Sequence, residues 1–144
     1  MSMSREGRVV AGITILTIPT IMYGGVTLLG ILTHGVAGLS PGNMALNETQ
    51  WALFRAGHAH AGVWVALSVL IQVLLDSAVL SRPLKWIARI AAPLAAVAVS
   101  GSFFGLAFSS RFTLLLDFGA GCLLVAVLLT GIGLLRTKSP ATYG

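Results

Sequence analysis

Four stretches of this chain run for roughly 20 residues or more with almost no charge, the length an α-helix needs to cross about 30 Å of hydrocarbon. They span about residues 9–33, 55–80, 86–108 and 112–135. Only 9% of the 144 residues are Asp, Glu, Lys or Arg and 56% are apolar. Soluble domains carry roughly a quarter charged residues, so this chain lacks the charge to cover a water-facing surface. The pattern predicts an all-α fold, a polytopic four-helix membrane bundle forming one domain over residues 1–144. The first apolar run continues for about 25 residues, too long for the core of a cleaved signal peptide, and is expected to be a retained span.

The flanks of the spans set an expected orientation. Arg5 and Arg8 precede the first span, Arg82, Lys85 and Arg89 are counted between the second and third, and Arg136 and Lys138 follow the fourth. Only Arg55 and Arg111 fall on the other side. Lys and Arg concentrate in cytoplasmic flanks, so both termini are expected in the cytoplasm, in a bacterial inner membrane. The segment HGVAGLSPGNMALNETQW, with its Gly, Ser-Pro and Pro-Gly signals, reads as an outer loop. Its Asn47-Glu-Thr triplet is a glycosylation-type match with no weight in a bacterial chain. The net charge of +5 is scattered in short flanks, whereas a nucleic-acid interface gathers its cations on one solvated face. Cys122, the single cysteine, excludes a disulfide framework and a Cys-based metal site.

The residues able to carry chemistry are few. His34, His58 and His60 are placed by the span boundaries in one layer near the outer side, with Arg55, Arg111, Asp117 and Glu48. His58 and His60, in FRAGHAHAGVWV, lie inside the helical run, where an ionisable group is costly and so marks a functional candidate. Residues two apart on a helix point about 200° apart, so the two imidazoles cannot grip one ion. One of them can still be the axial ligand of a haem, which requires a single protein ligand and an apolar slot. Ala56, Gly57, Ala59, Ala61 and Gly62 leave space around them, and Asp117 is a candidate partner for the other ring nitrogen. A stripe of His58, Gly62, Val65, Gln72 and Asp76 shares one helix face, which gives a second reading as a transporter or channel. In that stripe Asp76 is expected to meet Arg82 or Lys85. A third reading is an accessory subunit of a membrane complex.

Trp51 with Arg55, Ala56 and His58, the basic turn Arg82-Pro-Leu-Lys85 and the run Ser102-Phe-Phe-Gly-Leu-Ala-Phe-Ser109 resemble the styrene oxide isomerases. The resemblance implies a homotrimer in the lipid bilayer that binds haem b, with ferric iron as a Lewis acid turning a small apolar epoxide into an aldehyde without redox change. It implies His58 as the iron ligand, with His60 as the alternative and Arg55 and Gly62 beside the cofactor. The family has Arg-Ala-His where this chain reads Arg55-Ala56-Gly57-His58. The family's third-helix Tyr falls at about Ser102, its Asp near Leu94, and its second-helix Asn at Ala61 or Trp64. Ser102 and Trp64 are therefore the candidate catalytic positions.

Overall fold

The computed structural model describes residues 3–39 and 46–136, and Lys138 lies outside them. The described residues form helices and turns with no strand: α1 (Arg5–Ile15), α2 (Ile18–Leu32), α3 (Glu48–Ser77), α4 (Arg82–Leu106), a short 3-10 turn (Ser110–Phe112) and α5 (Thr113–Leu135). Four units are long and apolar enough to cross a membrane, namely α1 with α2, then α3, α4, and the 3-10 turn with α5.

The first span is two helices because Pro19 has no N–H to offer the carbonyl of Ile15. The chain breaks at Leu16 and Thr17, and the Thr17 hydroxyl donates to the Thr14 carbonyl at 2.7 Å. α2 ends in a Schellman motif. His34 N–H donates to the Ile31 carbonyl and Gly35 N–H to that of Gly30, with His34 itself at φ 51°. That left-handed position is normally glycine's, so His34 has a backbone role at the helix end.

α3 starts at Glu48, not near residue 55. The cause is a capping box: Asn47 Oδ1 accepts from Gln50 N–H at 2.9 Å while Gln50 Oε1 accepts from Asn47 N–H at 3.0 Å. The loop before α3 is correspondingly shorter than the sequence suggested, and Asn47 of the triplet serves as the helix cap. α4 likewise begins at Arg82 rather than 86.

α4 is the centre of the bundle. Ala88, Ala91, Ala92, Ala95, Ala96 and Ala98 are all buried along it, and small side chains let neighbouring membrane helices approach closely where lipid offers no hydrophobic drive. α5 meets it at Gly119, where an added methyl group would stand 2.8 Å from the backbone nitrogen of Val99. α3 packs on the other side, burying Ile71 and Leu75 with Ala88, Ala92 and Ala126. Leu114, Leu124, Val125 and Leu128 on α5 are exposed, the expected state of a lipid-facing surface. The α3–α4 turn, the start of α1 and the end of α5 share one end of the bundle. Ser4 N–H donates to Asp76 at 2.9 Å and Val79 N–H to the Gly133 carbonyl at 2.7 Å.

Candidate functional site

Because α3 begins at Glu48, His58 and His60 stand ten and twelve residues into a 30-residue helix, about 15–18 Å along its axis at 1.5 Å per residue. They are therefore well past the first turns of the helix. His34 does not share their layer, since His58 lies opposite Gly25, nine residues before His34.

The two imidazoles leave α3 on opposite sides, as a two-residue spacing requires. His58 turns to α2: a methyl group on Gly25 would meet its Cε1 at 2.8 Å and its Nε2 at 2.9 Å. Glycine here is what lets the ring fit against the helix backbone. A cavity of about 230 Å³ opens beside the ring, walled by Tyr23, Phe54 and Phe104. A second, of about 370 Å³, lies further along the same seam beside exposed Gly62 and buried Val65. Both linings are almost wholly apolar.

His60 turns to α4. Its Nδ1 lies 2.7 Å from the carbonyl oxygen of Ala56, and since a carbonyl only accepts, Nδ1 carries the proton. The neutral ring then has its lone pair on Nε2. The imidazole rests on Phe103, ring centroids 4.7 Å apart and tilted 31°, and meets Trp64 at 5.8 Å. Trp64 Nε1 is buried with no acceptor, an unsatisfied donor that ordinarily has a cause in function, water or an absent group.

The other candidates are placed less favourably. Ser102 is 0% exposed and its hydroxyl donates to the Val99 carbonyl at 2.6 Å, so its proton is committed to its own helix. Arg55 is exposed and makes no ion pair among the described residues. Asp117 is exposed on α5 and does not reach either imidazole; the partner of His60 is the Ala56 carbonyl instead. Leu94 is exposed, and an added methyl group at Gly101 would meet nothing. Among the described residues no three His, Cys, Asp or Glu side chains gather in ligand geometry.

At the other end of α3 the Gln72 and Asp76 stripe closes on a residue the sequence had assigned to a flank. Arg89 is in α4, only 4% exposed, and it pairs with Asp76 at 2.5 Å. Arg82 and Lys85 do not take that role. The Arg89 guanidinium also donates to Ser4 Oγ at 3.1 Å and to Gln72 Oε1 at 3.3 Å. Gln72, 0% exposed, donates back to the Arg89 carbonyl at 3.1 Å. These bonds tie α1, α3 and α4 together and use every charge in the cluster.

Comparison with protein-family models, with curated proteins and with solved structures yields no match to this chain.

Proposed function

We propose that this chain is an integral membrane haem b protein that offers His60 as the axial ligand and rearranges a small apolar epoxide to an aldehyde. The observation that carries the reading is the His60 ring itself. Its Nδ1 is fixed on the Ala56 carbonyl at 2.7 Å, the bond that orients metal-ligating histidines and leaves Nε2 as the donor atom. Beside it, the unpaired Trp64 N–H is a donor awaiting an oxygen atom.

His58 suits an iron less well. Its Nε2 is covered by the α2 backbone at Gly25, and the adjoining cavity of about 230 Å³ is below the roughly 300–1,000 Å³ of ordinary ligand pockets. A broad macrocycle there would have to part α2 from α3.

Ferric haem, when bound, supplies Lewis acidity toward an epoxide oxygen. The chain supplies the rest. His60 would hold the cofactor, Phe103 and Trp64 would give an apolar wall that excludes water, and the unpaired Trp64 N–H would be the donor nearest to the imidazole. Ser102 has no part, its proton being spent on Val99.

The His60 face is half-buried and is best closed by another copy of the chain. For orientation, Arg5, Arg8, Arg82, Lys85 and Arg136 gather at the end that holds the described termini, against Arg55 and Arg111 at the other. The positive-inside rule puts that end in the cytoplasm of a bacterial cell. Titration of the purified protein with haemin, followed by incubation with styrene oxide, tests the reading. A saturable Soret shift and haem-dependent phenylacetaldehyde are expected; haem binding without product would remove the isomerase assignment.

A further inference from the structure

A further cavity lies far from His58 and His60. It is a cleft of about 440 Å³ at the end of the bundle where α1 begins, α3 ends and α4 begins, and Ser4, Glu6, Arg82, Lys85, Trp86 and Arg89 are among its walls. Its lining is polar and apolar in near-equal measure, unlike the two seam cavities. Five charges meet there: Arg82, Lys85 and Arg89 against Glu6 and Asp76.

These charges are not equally engaged. Asp76 and Arg89 neutralise one another in the floor of the cleft, at 2.5 Å. Glu6 reaches Arg82 only at 3.9 Å, with the Arg82 side chain 83% exposed, a contact worth little in the wet headgroup region. The Lys85 ammonium has no ion pair or hydrogen bond among the described residues. The floor is thus closed, and the rim carries Lys85 without a partner and Arg82 held only by that long, solvated contact with Glu6. Trp86, partly exposed beside them, is the residue type that settles at the level of lipid headgroups.

We propose that this cleft binds a phosphate group through Arg82 and Lys85, the phosphate being that of an anionic phospholipid whose chains lie along the apolar start of α4. Several features fit that occupant together: a basic pocket between helices at the membrane boundary, an interfacial Trp, and exposed Ile87 and Ile90 on the adjoining stretch of α4. A free phosphate would satisfy the same two cations but would leave those apolar residues unused. The inference does not depend on haem or on which side of the membrane the cleft faces.

Native mass spectrometry of the full-length protein in detergent tests it, with phosphatidylglycerol, phosphatidylcholine and inorganic phosphate as separate probes. Phosphatidylglycerol is expected to remain bound at lower concentration than phosphatidylcholine. Each of Arg82→Gln and Lys85→Gln should weaken it about fivefold, the effect of one cation near an anionic surface. Because the Arg82 side chain is 83% exposed, the Arg82→Gln protein should melt like the parent in detergent alone, which keeps the loss from being one of folding. If inorganic phosphate alone binds as tightly and competes with the lipid, the phosphate site stands but its source is soluble anion. Equal retention of the two lipids, or retention of phosphatidylglycerol unchanged in both variants, would overturn the proposal.

Discussion

Gln72 donates from Nε2 to the carbonyl oxygen of Arg89 at 3.1 Å, the carbonyl that Pro93, four residues further along α4, cannot serve. A proline inside a helix removes one i to i−4 hydrogen bond, and within a membrane a freed carbonyl has no water to turn to. The side chain of a neighbouring helix answers it. In return, Arg89 donates to Gln72 Oε1 at 3.3 Å, so one amide satisfies both ends of the same residue.

Replacing Gln72 with Leu should therefore cost about 1–3 kcal/mol, the penalty for leaving buried polar groups unpaired. The loss should shrink in a Pro93→Ala background, where the helix regains its own donor for the Arg89 carbonyl. Reversible unfolding of the four proteins of this cycle in mixed micelles measures the coupling; strict additivity would show that Gln72 does not act through Pro93.

Arg89→Met alone should be far more damaging, about 3–5 kcal/mol, because it strands the Asp76 carboxylate. Adding Asp76→Leu should recover most of that loss, since the desolvation of both charges disappears with the pair. Thermal melting in detergent of the two single variants and the double variant checks this, and a double variant as unstable as Arg89→Met would contradict it.

Gly25→Ala should destabilise the seam between α2 and α3 by about 1–3 kcal/mol, the usual cost of overpacking, because the new methyl would lie 2.8 Å from the His58 ring. In a His58→Ala background the same change should be nearly neutral. If Gly25→Ala is equally harmful with and without the imidazole, the ring does not rest there.

Asn47→Ala should cost about 1 kcal/mol through loss of the cap, and amide hydrogen exchange should rise in residues 48–52 while the middle of α3 stays protected. Unchanged exchange at the helix start would mean the cap contributes nothing.

The four spans were legible because hydropathy and length need no knowledge of what touches what. The opposite directions of His58 and His60 followed from helix geometry alone. Arg89 was misread for a different reason: its partner Asp76 is 13 residues away on another helix, and only the register of α3 against α4 brings the two together. That register also decides which side chain meets the carbonyl freed by Pro93. The Asn47 cap was in plain view, since Asn-x-x-Gln before an apolar run has the pattern of a capping box, but the same residues were read as a modification triplet. Ser102 appeared free to act because its hydroxyl bond to Val99 is invisible in a linear sequence. Between the two histidines the family resemblance favoured His58; the features that favour His60 instead are a glycine on α2 and a carbonyl one turn back, neither of which a linear sequence pairs with its histidine.

That choice is the centre of the account. The visible absorption spectrum of the haemin-reconstituted protein should show a Soret band that is lost in His60→Ala and kept in His58→Ala. A band lost in His58→Ala and kept in His60→Ala, or no spectral change on adding haemin to the parent protein, would contradict it.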